Sequence, residues 1–169
     1  MSNYVAIYGK QELAITDGTG IFFMLLSAGL FTSRLFGAKS LRKGLMTRNA
    51  AFGTVLSLVG YSMFAFVITP WSFYLSAILI GLGNGQMYPA FLNMFINVAR
   101  HDQRGTANSS ILISWDLGMG FGILLGGIIA ENIGFTTAFH FVALMQACGV
   151  LLFIFRTRFF YESHRLPDN

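Results

Sequence analysis

Residues 49–99 read NAAFGTVLSLVGYSMFAFVITPWSFYLSAILIGLGNGQMYPAFLNMFINVA, and none of them is charged. A helix needs roughly 20 mostly apolar residues to cross a ~30 Å hydrocarbon layer, so this stretch is too long for one crossing. Its turn-like break is Thr69-Pro70-Trp71, which divides it into spans expected near Ala50–Ile68 and Ser72–Ala99. The second is long enough to tilt, bend or project beyond the bilayer.

Three more apolar stretches flank this pair. One runs from Thr16 to Phe36, with Asp17 at one end and Arg34 at the other, where a long stem can carry its charge to water. The others run from Ala107 to Ala130 and from Thr136 to Phe155, parted by Glu131-Asn132-Ile133-Gly134. Charged residues make up 11% of the 169 and hydrophobic ones 54%. A soluble domain carries about 25% charge, so the expected class is an all-α integral membrane protein with five transmembrane helices. Residues 1–15 would form a segment outside, 16–155 the bundle, and 156–169 a cytoplasmic tail. A single cysteine, Cys148, excludes an internal disulfide and a cysteine-based metal cluster, and reads as a small buried side chain.

The net charge of +4 does not point to nucleic acid, because the cations lie in short loops between apolar segments. Arg34, Lys39, Arg42, Lys43 and Arg48 follow the first span, Arg100 and Arg104 the third, and Arg156, Arg158 and Arg165 the fifth, which leaves Lys10 alone on the other side. The positive-inside rule then places ten of eleven cations in the cytoplasm and the amino terminus outside, in a plasma or bacterial inner membrane. The first fifteen residues contain Tyr4, Lys10 and Glu12 and have no signal-peptide core. An outside amino terminus without a signal needs earlier spans to carry it across, so the chain reads as a fragment.

After the first span the sequence runs Gly37-Ala38-Lys39-Ser40-Leu41-Arg42-Lys43-Gly44. It resembles the G-x-x-x-D-R-x-G loop that major facilitator proteins carry after their second and eighth helices. Gly37, Arg42 and Gly44 fit, while Leu41 stands where the family has an acid, which implies a weak conformational latch. Three later features share the family's order and spacing: Gly81-Leu82-Gly83-Asn84-Gly85 with Pro89, the Arg104-Gly105-Thr106-Ala107 entry to span four, and Asp116-Leu117-Gly118 within it. The resemblance implies that the five spans are helices eight to twelve of a twelve-helix transporter, most of its carboxyl-terminal six-helix bundle, with the amino-terminal half as the missing partner.

Asp116 is an acid deep in a span, where an ionised carboxylate costs at least ~2.5 kcal/mol, so it must face protein or water and have a partner or a proton. Two readings stay open: a proton- or cation-coupling group, or an acid satisfied by hydroxyls and backbone. Gly118, Gly122 and Gly126 form a ridge expected to pack against a neighbouring helix. Span three carries Asn84 and Tyr88 near mid-membrane on one face and Gln86, Asn93 and Asn97 near the other. Asn84, Tyr88 and Gln86 read either as substrate contacts or as interhelical hydrogen-bonding groups. Trp115 reads as a stacking surface for a substrate or as ordinary packing, and Phe159, Phe160 and Tyr161 as interfacial anchors.

The sequence has no G-x-S-x-G, no H-E-x-x-H and no G-x-x-x-x-G-K-[ST], and nothing in it calls for a cofactor or a metal. An enzyme is not expected. What the resemblance implies is secondary active transport of a small molecule by alternating access, with a proton gradient as the energy source and a site near the membrane midplane. The rivals are a non-transporting membrane interaction or sensor protein, and a membrane enzyme, for which convergent acids and histidines are lacking. The uncharged cavity candidates lean toward neutral or lipophilic substrates.

Overall fold

The computed structural model describes residues 18–67 and 69–164. Thr16, Asp17, Ile68 and the segment 1–15 lie outside the described residues, as does Arg165. The described elements are α1 (Gly18–Arg42), α2 (Met46–Phe66), α3 (Pro70–Val98), α4 (Arg104–Asn132), α5 (Phe135–Leu152) and α6 (Arg158–His164). A 3-10 turn, His101–Gln103, precedes α4, and a π-helical segment, Phe153–Thr157, joins α5 to α6.

Local chemistry sets the turns. Between α2 and α3 the Thr69 hydroxyl accepts from the Ser72 N–H at 3.3 Å, while the Ser72 hydroxyl accepts from the Thr69 N–H at 3.2 Å. This reciprocal capping box, with Pro70 at the first helical position, starts α3 where the sequence places the break. Gly44 and Gly134 hold φ of 73° and 118°, values that an L side chain rarely adopts, and they close the turns before α2 and α5.

Two boundaries differ from expectation. Helix α1 continues through residues 37–42, so that most of the motif expected as a loop is helical and only Lys43, Gly44 and Leu45 turn the chain. The tail is helical to His164, and Tyr161 is buried against Ala50, Ala90, Met94 and Phe153, while Phe159 and Phe160 stay exposed. An uncharged apolar stretch marks the least extent of a membrane helix, because helices extend past the bilayer into charged sequence.

Among the described residues, Gly20–Arg42, Met46–Phe66, His101–Asn132 and Phe135–His164 are long and apolar enough to cross a membrane. Pro70–Val98 has 29 residues and no charge, but sets Asn84, Gln86, Asn93 and Asn97 among its aliphatic residues. Absence of charge is not the same as apolarity. This polar helix is also the most enclosed, packed between α1 and α2, with Ser72, Ser76, Ile80, Gly81, Gly83, Gly85 and Met94 buried along it. A helix whose amides meet protein rather than lipid satisfies them without water.

Small residues set how closely these helices approach. A Cβ on Gly29 of α1 would stand 2.8 Å from the Ile78 carbonyl oxygen, and one on Gly53 of α2 would stand 2.8 Å from both the Gly83 oxygen and the Met87 nitrogen. Gly83 and Gly85, two residues apart, face opposite neighbours: Ser57 of α2 and Ser33 of α1. At the ridge expected to pack, Gly118, Gly122 and Gly126, a Cβ would meet no atom of the described residues within 4 Å, and Gly122 and Gly126 border a narrow space beside α5. Residues 112–125 of α4 are exposed in unbroken succession, and Cys148 on α5 is exposed rather than buried. Glycine spacing alone does not say which helix of a bundle is central.

Two clusters close the bundle at its ends. Phe22, Phe64, Phe73 and Ala77 pack at one, with Phe22 and Phe73 ring centroids 4.6 Å apart. At the other, the start of α2, the end of α3 and helix α6 meet, where the Asn97 amide donates to Met46 Sδ at 3.2 Å and to the Tyr161 hydroxyl at 3.4 Å.

Candidate functional site

The turn after α1 is held by a residue the sequence reading used only as a span boundary. Asn49, 5% exposed, accepts from the Ser40 hydroxyl at 2.6 Å through Oδ1 and donates through Nδ2 to the Gly37 carbonyl at 3.3 Å. Gly37 is buried, and a Cβ there would rest at an ordinary 3.5 Å from the Gln86 side chain of α3. Arg42 is exposed and makes no hydrogen bond or ion pair among the described residues, which fits a motif in which Leu41 has replaced the acid. The amide of Asn49, not an ion pair, ties α1 to α2 here. Its signal in the sequence was a lone amide at the edge of an uncharged stretch.

The middle of α3 sends its polar groups to three different neighbours. Asn84 accepts from the Ser57 hydroxyl of α2 at 3.0 Å. Tyr88 turns toward α4, where its ring meets Trp115 edge-on with centroids 5.0 Å apart and planes at 90°. Gln86 lies near the end of α1 and the start of α2, as the residue shared by two cavities. Asn93 donates to the Pro89 carbonyl one turn back, at 2.7 Å.

One of these cavities, about 340 Å³ between α1 and α3, gathers Ser33, Arg34, Gln86, Tyr88 and Pro89. Ser33 was not singled out in the sequence, yet it is fully buried and its hydroxyl has no partner among the described residues. Pro89 has no N–H, so the carbonyl of Gly85 lacks the donor that an uninterrupted helix supplies. A free hydroxyl, a carbonyl without its helical donor, an amide, a phenol and a guanidinium thus border one space. They can bind a small molecule with both donors and acceptors, beside the apolar edge that Tyr88 and Trp115 supply.

Asp116 is not part of that space. It is exposed on α4 and has no hydrogen bond or ion pair among the described residues, so the partner expected for it is not found there. Helix α4 touches the bundle near Trp115 and along α5, and its remaining surface is open. His140 stacks on Phe66, with centroids 4.6 Å apart.

A family model described as Major Facilitator Superfamily matches residues 1–166. A di-/tripeptide transporter of Lactococcus lactis is 25% identical over 167 residues, covering 94% of this chain and 31% of the relative. An uncharacterised transporter of the same type from Pseudomonas aeruginosa is 26% identical over 135 residues, 77% of this chain and 34% of the relative. Among solved structures, a mutant peptide transporter crystallised with alafosfalin superposes with a TM-score of 0.76 at 20% identity, over 90% of this chain and 34% of that one, a likeness of fold. The chain spans about a third of the length of these proteins.

Proposed function

This chain belongs to the Major Facilitator Superfamily, a family of membrane transporters rather than enzymes, and from that premise we propose that it supplies most of one helix bundle of a secondary active transporter. The observation that carries the reading is the match of the family model over residues 1–166. A second bundle, corresponding to the part of the relatives that this chain does not cover, completes the machine. The substrate then moves by alternating access between the two.

The substrate site lies along α3, at the cavity of Ser33, Gln86 and Tyr88 and the Tyr88–Trp115 edge, with Asn84 fixed beside it by Ser57. The cargo is a small organic molecule of mixed polarity. Short peptides lead the candidates, since one relative is named for di- and tripeptides. Asp116 is the coupling carboxylate. An ionised acid facing lipid is costly, so the open face of α4 faces the second bundle and its water path. The cation-rich turns lie in the cytoplasm and the amino terminus outside.

The test uses the purified chain, carrying Trp71→Phe so that Trp115 is the reporting indole, in proteoliposomes with an imposed pH gradient and a panel of labelled di- and tripeptides and amphipathic dyes. The expected result is ligand-dependent quenching, weakened about tenfold by Tyr88→Ala, without gradient-driven uptake. Uptake by this chain alone overturns the need for a second bundle. Binding to none of the panel, or binding indifferent to Tyr88, overturns the site.

A further inference from the structure

A second cavity, of about 720 Å³, is a wedge between the end of α1 and the start of α2, and its wall changes character with depth. Lys43, Arg48 and Ser40 stand at the helix ends. Phe52 and Val55 lie one and two turns further along α2, and Phe36 faces them from α1. Phe36 is 74% exposed and Phe52 54%, so the deep part of the wedge is open to the bilayer.

The mouth of the wedge carries two cations, Lys43 and Arg48, that are not ion-paired among the described residues. Among the described residues the ion pair found is Arg158 with Glu162, so neither Lys43 nor Arg48 is ion-paired, and Glu162, which lines the adjoining cavity with Arg48, is engaged by Arg158. The first turn of α2 contains no acid, and Leu45 before it offers no side-chain cap, so the positive end of that helix adds to the same field.

We propose that this wedge binds one anionic glycerophospholipid, its phosphate between Lys43 and Arg48 and its acyl chains along Phe36, Phe52 and Val55. A free phosphate or a soluble acid would use the cations but leave the apolar wall uncovered. A neutral lipid would use the wall but leave both cations without a counter-charge. A lipid whose headgroup is acidic matches both, and the wedge lies at the depth where headgroup and chain meet. Because Asn49 and Ser40 close the same turn, a bound headgroup also braces the junction of α1 and α2. This proposal depends on the membrane location and not on what is transported.

The experiment is native mass spectrometry of the full chain in detergent, offered equal amounts of phosphatidylglycerol and phosphatidylcholine with identical acyl chains. A cation near an anionic lipid surface is worth about fivefold in affinity, so one phosphatidylglycerol should be retained with a preference of roughly thirtyfold. K43Q/R48Q should bring that preference near parity, and R100Q/R104Q, which removes the same charge elsewhere, should leave it unchanged. Phe52→Ser should weaken retention without altering the headgroup preference. Equal retention of the two lipids, an equal loss in R100Q/R104Q, or displacement of the lipid by millimolar inorganic phosphate alone would each overturn the proposal, as would a dimer that survives only in lipid-free chain. Circular dichroism and gel filtration of each variant separate a lost site from a lost fold.

Discussion

Replacing Gly53 with alanine should break a tight backbone seam of the bundle, the one between α2 and α3. A Cβ at Gly53 stands 2.8 Å from the Gly83 oxygen, 2.8 Å from the Met87 nitrogen and 3.1 Å from the Met87 Cα. All three are backbone atoms of α3, so no rotamer change relieves the clash. An ordinary contact needs about 3.4 Å or more, so the seam must open by about 0.6 Å, and a gap of that size forfeits a quarter to a half of the dispersion energy of each contact that it stretches. The helix-propensity gain of Gly→Ala, up to about 1 kcal/mol, opposes this. Overpacking costs about 1–3 kcal/mol, so the net should be destabilising. Gly122→Ala is the control: it gains the same propensity and meets no atom within 4 Å. Thermal unfolding of the two variants in one detergent, followed by circular dichroism, should put G53A below the parent and G122A at or above it. Equal midpoints for the two would refute the packing argument.

Other perturbations test separate parts of the fold. Ser57→Ala and Asn84→Ala, taken singly and together, should show a coupling of about 0.6 kcal/mol, the average for interhelical hydrogen bonds in a membrane protein, in a double-mutant cycle of unfolding free energies. Asn49→Ala should cost about 1–3 kcal/mol, because it leaves the Gly37 carbonyl and the Ser40 hydroxyl without their partner, whereas Arg42→Ala should stay within about 0.5 kcal/mol. Ser33→Ala removes a buried hydroxyl without a partner among the described residues and should be neutral or stabilising in the absence of ligand. If S33A destabilises by as much as N49A, the hydroxyl has a partner and the cavity reading is wrong.

The order and approximate bounds of the helices were legible in the sequence because cations, prolines and glycines punctuate it. Thr69-Pro70 and Gly134 stand at helix starts in the structure as they do in the pattern. What stayed illegible has one physical source. In a membrane protein both the packed face and the lipid face of a helix are apolar, so hydrophobic periodicity does not tell them apart. The glycines of α4 therefore read as a packing ridge and are open, while Gly29 and Gly53, singled out by no motif, lie in the seams. Asn84 and Tyr88 were picked out as a pair by their shared helix face. The fold sends the first to Ser57 and the second to Trp115, because α3 is enclosed on more than one side. Ser33, Asn49 and Ser57 are single small polar residues in apolar surroundings, and only the neighbouring helix gives them a role.

The five-helix order depends above all on α3 crossing the bilayer in spite of its amides. Single cysteines at Arg42, Trp71 and Arg100, placed in a Cys148→Ser background and labelled in sealed membranes with an impermeant maleimide, test this directly. Arg42→Cys and Arg100→Cys should react from one side, the cytoplasm, and Trp71→Cys, at a residue 87% exposed in the opposite turn, from the other. Labelling of Trp71→Cys and Arg100→Cys from the same side would contradict the crossing and the five-helix order built on it.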